Sequence, residues 1–192
     1  MLKDTDFIEV SSFDTKIKLA KYFNQNKIYN LEGKRYIAKK RSEVFLRLGT
    51  AKKLSKANRL LKRKGFGILL YEGYRSYELQ SALRDHYKYL YGKFDPVYVS
   101  APGESDHQKG AAVDIGLYNR KTGNTVKMPT KYLELNEKAR IGYTDRVPSE
   151  VLTNLKVMQE AMSKVGFVIF KEEWWHFNDK EMINKVKPYK LP

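Results

Sequence analysis

The chain has 192 residues, 42% of them hydrophobic and 13% aromatic, so it can bury a full core and is not of disordered composition. It contains no cysteine, which excludes disulfides and thiolate metal sites and leaves histidine and carboxylates as ligands for any metal. The net charge of +15 attracts polyanions in general, but no nucleic-acid recognition motif accompanies it, and ordinary solvation by lysine is the expected role of these charges, many of them between Lys34 and Lys64.

At the start, Met1 to Asp6 carry charges of both signs and lack the apolar core of a signal peptide, which sets a cytoplasmic location as the expectation. No run approaches the ~20 apolar residues that cross a bilayer, so no membrane insertion is expected. Phe7 to Val10 suit a short strand, and the next assignable element is a helix from Ala51 to Lys64. Its Leu54, Ala57 and Leu61 recur at helical spacing, with basic residues opposite and Gly65 as the stop. Phe66 to Tyr71 then read as a buried strand that delivers Gly73-Tyr74-Arg75. Ser76 can cap a helix running to about Tyr91, with Glu78 in its first turn.

A loop marked by Pro96 and Pro102-Gly103 follows, from Phe94 to Glu104. Next, Ala111 to Ile115 form a short buried strand that turns Asp114 to one face. Gly110 allows a sharp turn before it, so His107 can fold back towards Asp114. Lys121 to Asn124 make a hairpin-like turn between Leu117-Tyr118 and Val126-Met128. Pro148 suits the first turn of a helix with the stripe Val151, Leu155, Met158 and Met162, ended by Gly166. Phe167 to Phe170 are a strand signal. If the chain stays extended beyond it, Trp175 and His176 point to opposite faces. The basic tail from Lys180 is expected only to pack at an edge.

His107, Asp114 and His176 are together the ligand inventory of a catalytic zinc site, which takes three protein ligands and keeps a position open for water. Any one buried histidine or aspartate is more often a hydrogen-bonded core group than a ligand. The chain has only three histidines, however, and two fall in such settings; the third, His86, lies beside Arg84 and Asp85 and reads as a surface residue. Taken alone, Arg75 reads as a partner for a surface carboxylate.

At these residues the sequence resembles the zinc-dependent D-alanyl-D-alanine dipeptidases of the vancomycin-resistance (VanX) type, a group related to zinc D,D-carboxypeptidases and the hedgehog signalling domain. The pattern Ser-x-His-x-x-Gly-x-Ala-x-Asp is met by Ser105, His107, Gly110, Ala112 and Asp114; Glu-Trp-Trp-His by Glu173 to His176; and Gly-Tyr-Arg by Gly73 to Arg75. The likeness runs from about Tyr22, where Tyr22-Phe23-Asn24 resembles the segment near the active site, to Phe177.

The resemblance implies that His107, Asp114 and His176 hold Zn2+ and that Glu173 is the general base. It further implies that Arg75 stabilises an oxyanion and that Ser105 helps to hold the substrate carboxylate. An acidic residue that pairs with the amine of the dipeptide is expected at Leu133, with Glu134 beside it as the candidate here.

The expectation is one α+β domain over residues 1–192, with a mostly antiparallel sheet carrying the zinc site and helices packed against it. Its function is hydrolysis of D-Ala-D-Ala, a small peptide substrate, or in the alternative D,D-carboxypeptidase action on longer peptidoglycan peptides. A binding module that keeps the metal structurally is the rival from another class, and Glu173 and Arg75 argue against it.

Overall fold

Apolar residues on one face of two long strands, Phe66–Glu72 and Ala112–Asn119, organise the chain. The computed structural model describes residues 3–20, 28–29, 35–36, 43–93 and 98–189. Tyr22-Phe23-Asn24, the start of the loop expected from Phe94 and much of the basic run after Lys34 lie outside them.

In chain order the strands are β1 (Phe7–Glu9), β2 (Lys18–Leu19), β3 (Ile28–Tyr29), β4 (Arg35–Tyr36), β5 (Phe45–Arg47), β6 (Phe66–Glu72), β7 (Ala112–Asn119), β8 (Phe167–Ile169) and β9 (His176–Asp179). The helices are α1 (Val10–Phe13), α2 (Leu48–Lys62), α3 (Tyr77–Tyr91), α4 (Ser149–Lys164) and α5 (Met182–Lys185). The main sheet has the order β2-β6-β7-β9-β8, antiparallel throughout except for the β2–β6 pair. Two-stranded ribbons β1–β5 and β3–β4 complete the described strands. This is the α+β architecture that the sequence pattern implies, with a mostly antiparallel sheet.

One face of the sheet is apolar. Ile68, Leu70, Val113, Ile115, Leu117 and Phe177 pack with Leu54, Ala57 and Leu61 of α2 and Leu155, Met158 and Met162 of α4. Burying each leucine or isoleucine there contributes about 1.5–3 kcal/mol. The α2 helix begins three residues earlier than the expected Ala51, because Leu48 and Ala51 extend the buried stripe and Gly49 lets Met182 pack closely. Ser76 caps α3 as expected, its Oγ accepting from Leu79 N–H. Pro148 occupies the N-cap of α4 and so precedes the first turn. Among the described residues no helix is long and apolar enough to cross a membrane.

The other face carries polar groups, and a β-bulge decides which. Ile68 faces Leu117 and Leu70 faces Ile115, but the register then shifts so that Glu72 faces Asp114. Simple alternation would send Glu72 into the core with Ile68 and Leu70; the extra residue re-aims it beside Asp114. Asp114 in turn faces His176 on β9, so Glu72, Asp114 and His176 form one row across three strands.

The basic tail does more than pack at an edge. Asp179, fully buried, accepts from Thr50 Oγ1 and Lys53 Nζ on α2 and from the backbone N–H groups of Glu181 and Met182. Further on, the Tyr189 backbone bonds to both Gln108 O and the Tyr74 hydroxyl, behind the turn that carries His107. Removing Asp179 leaves two backbone donors unpaired and takes from Lys53 the nearer of its two carboxylates, the other being the exposed Glu181. Asp179→Ala is therefore expected to lower unfolding free energy by about 3 kcal/mol in urea titrations, and an unchanged midpoint would show that this network holds nothing.

Candidate active site

His107 lies on a 3-10 turn, Asp106–Lys109, that ends at Gly110 with φ of 69°. Gly110 N–H returns to His107 O, and a side chain at this position would both strain the left-handed backbone and strike the Phe7 ring. The turn is stitched to the strand end beside it: His107 Nδ1 donates to Gly73 O at 2.7 Å, and Arg75 N–H donates to His107 O. On β9, His176 Nε2 donates to Asn178 Oδ1 at 2.9 Å. Both ring protons are thereby spent, and His107 Nε2 and His176 Nδ1 present lone pairs inward.

These two nitrogens and Asp114 Oδ1 form a nearly equilateral triangle. The nitrogens are 3.1 Å apart, and they lie 3.2 Å and 3.0 Å from the carboxylate oxygen. Three electron-pair donors facing one another without a proton between them call for a cation. Ligands bonded at about 2.0–2.1 Å around a tetrahedral ion sit about 3.3–3.4 Å apart, so the set fits zinc with little adjustment. Among the described residues this is the group of histidine and carboxylate side chains placed to hold a metal ion. Burial alone would raise the Asp114 carboxyl, but positive charge and hydrogen-bond donors facing it from His107 and His176 hold it well below the usual carboxylate range, a charge that a bound cation supplies when the two rings are neutral.

The triangle lies in a cleft of about 370 Å³ that Arg75, Ser105 and Glu173 also line. Burial pushes the Glu173 carboxyl up to about 7, with His176 opposing the rise and Asp114 adding to it. Arg75 does pair with a carboxylate, but a buried one. Its Nε and one terminal nitrogen donate to Glu72, and the other donates to Gln80 Oε1 at 2.9 Å. Burial alone would weaken its charge; Glu72 keeps the guanidinium protonated, above its ordinary value. Two of its five N–H groups remain for the cleft.

Glu134 does not join them. It is exposed, its carboxylate accepting from Lys131 N–H and the Asn136 amide, while Leu133 and Leu135 line the cleft. The cause is a left-handed turn at Leu133, with φ of 62°, which directs Glu134 back onto its own loop. His86 is likewise corrected: it is half-buried and forms part of the cleft wall, because α3 presents Leu83, His86, Tyr87 and Leu90 on one helical face.

Sequence reasoning passed over Glu72, Gln80, Tyr132 and Asn178. Asn178 had a signal, since it lies two residues from His176 on one strand and so shares its face. Tyr132 had none: its hydroxyl donates to Asp114 Oδ2 at 2.8 Å across 18 residues of chain.

An α+β sheet with a His-Asp-His triangle in a cleft, beside a carboxyl raised towards neutrality, is the arrangement of a metal-dependent hydrolase such as a metallopeptidase. More particularly, the profile of the D-ala-D-ala dipeptidase family matches residues 13–189, and the chain belongs to that family. It is similar to the D-alanyl-D-alanine dipeptidase of Streptomyces coelicolor, 31% identical over 67% of this chain and 69% of the relative. It is 29% identical to the enzyme of the same description from Escherichia coli K12, over 65% of this chain and 61% of the relative. A solved vancomycin-resistance D,D-pentapeptidase, VanY with Zn(II), shares 18% identity over 76% of this chain and 79% of its own, with a TM-score of 0.49.

Proposed function

We propose that the protein is a zinc-dependent peptidase that cleaves the D-Ala-D-Ala bond. The observation that carries this reading is the triangle of lone pairs in a cleft it shares with Glu173 and Arg75. His107, Asp114 and His176 would hold the ion. Bound there, zinc would supply a water molecule with its pKa lowered to about 7 and a Lewis acid for the scissile carbonyl. Glu173, poised near neutrality, takes the proton of the attacking water and passes it to the leaving amine. The two remaining Arg75 N–H groups meet the charge that develops on the carbonyl oxygen, and the arginine is fixed for that task by Glu72 and Gln80. Ser105, buried on the same wall, is assigned to the substrate carboxylate.

Substrate length divides two readings. The family description and the curated relatives named above support the free dipeptide. A dipeptide brings an ammonium, however, and an unpaired, half-buried cation costs several kcal/mol. The segment expected to supply the acidic partner offers Leu133 and Leu135 to the cleft, which suits an acylated chain at that point and so favours D,D-carboxypeptidase action on longer peptides; the lining carboxylates outside the metal and catalytic set, Glu104 and Asp106, come from the loop and turn around His107.

The test is hydrolysis of D-Ala-D-Ala beside an N-acylated tripeptide ending in D-Ala-D-Ala, on protein of measured zinc content. Cleavage of the acylated peptide at least as efficient as that of the dipeptide is expected, with Glu134→Gln leaving both rates within twofold. Strong preference for the free dipeptide would return the first reading, and failure to cleave either would remove both.

A further inference from the structure

We propose that Tyr132 is a positioning residue that sets which oxygen of Asp114 faces the metal; this rests on the zinc reading above. The phenol has one proton and two carboxylates in reach, Asp114 Oδ2 at 2.8 Å and Glu72 Oε2 at 3.4 Å, so the proton goes to Asp114. That bond occupies Oδ2 and leaves Oδ1 to the two imidazoles. Without it, the cation facing Oδ2 is Arg75, whose guanidinium nitrogen is 4.0 Å away. The carboxylate would then be drawn towards the guanidinium and out of the ligand triangle.

The ring is held as a positioning group requires. Tyr71 stacks on it at 4.4 Å with the planes 6° apart, and Trp175 meets it edge-on at 5.5 Å. Tyr71 can lie there because residue 116 is glycine; a Cβ would come within 2.5 Å of the Tyr71 hydroxyl. The next residue, Leu133, takes the left-handed backbone that non-glycine residues avoid, a local cost consistent with a corner fixed by what surrounds it. Tyr132 thus stands between the Glu72–Arg75 pair and the ligand set, with its hydroxyl buried among both.

The test is zinc affinity, read by competition with a chromophoric chelator, for wild type, Tyr132→Phe, Tyr71→Phe and Glu72→Gln, with folding checked by near-ultraviolet circular dichroism. Phenylalanine keeps the stacked ring and deletes only the hydroxyl. Outer partners of metal ligands commonly contribute 10–100-fold to affinity. Tyr132→Phe is therefore expected to bind zinc at least tenfold more weakly and to shift the visible spectrum of the cobalt-substituted protein, with KM unchanged at saturating metal. Tyr71→Phe keeps the stacking and should bind as wild type.

Glu72→Gln leaves the Tyr132–Asp114 bond in place, so it should cost zinc affinity far less than Tyr132→Phe does, while lowering kcat through Arg75. A Tyr132→Phe affinity within twofold of a zinc-binding wild type overturns the positioning role alone. Equal losses in Glu72→Gln and Tyr132→Phe would overturn it as well, by showing general loosening. A wild type that binds no zinc removes instead the metal reading on which it stands.

Discussion

His107→Ala and His176→Ala are each expected to lose stoichiometric zinc and, with it, all measurable hydrolysis. In the wild type the two nitrogens and Asp114 Oδ1 sit within 3.2 Å of one another, and each imidazole has its second nitrogen anchored, on Gly73 O or on Asn178. Removing either leaves two protein ligands, too few for a catalytic zinc site, which takes three and a water. Metal analysis after dialysis is the measurement. About one zinc per chain in the wild type and none in either variant is the expected outcome, and full occupancy in both variants would dissolve the ligand set.

Glu173→Gln is expected to separate chemistry from binding. Glutamine has no proton-accepting carboxylate, so turnover should fall by about 10²-fold or more while zinc stays bound. For the wild type the rate should decline as pH falls and Glu173 takes up a proton. Burial raises this carboxyl to about 7 in the metal-free protein, and a bound cation draws it lower, so the acid limb of the loaded enzyme lies no higher than about pH 7.

The same shift has a cost. A carboxyl raised from 4.5 to about 7 contributes stability that is full below pH 4.5 and is lost as pH rises through 7. Metal-free Glu173→Gln should therefore be more stable than metal-free wild type at pH 8.5, by up to about 3 kcal/mol, and no more stable at pH 4. Urea titrations at the two pH values check it; equal stability at pH 8.5 would show that Glu173 is not a strained buried acid.

What could be read from sequence follows from how local each signal is. The Ala112–Asn119 strand, Gly110 and His107 lie within a few residues of one another, so their geometry is written in their spacing. The α2 and α4 stripes are likewise short-period patterns that survive folding unchanged. Tyr132 was illegible because an aromatic residue in a loop reads as packing, and its partner Asp114 is defined only by the sheet. Glu134 misled for a related reason: side-chain direction in the 132–135 segment depends on the left-handed backbone at Leu133, a residue type that gives no warning of it. The tail was undervalued because its bonds to Gln108 and Tyr74 run mainly through the Tyr189 backbone, which carries no sequence signature.

The bulge near the end of β6 acts as a half-step in a two-beat rhythm. Up to Leu70 the strand keeps time with the core; from Glu72 onward it keeps time with the chemistry, and Gly73, Tyr74 and Arg75 inherit that phase. The length of this strand is therefore constrained to the single residue, in a way that its composition is not. Inserting one residue after Tyr71 would move Glu72 on by one place, from Asp114 to Val113, send a carboxylate towards Leu54 and Leu61 and unseat the carbonyl that orients His107. An insertion variant that still folded and bound zinc would show that the sheet can absorb the added half-step elsewhere.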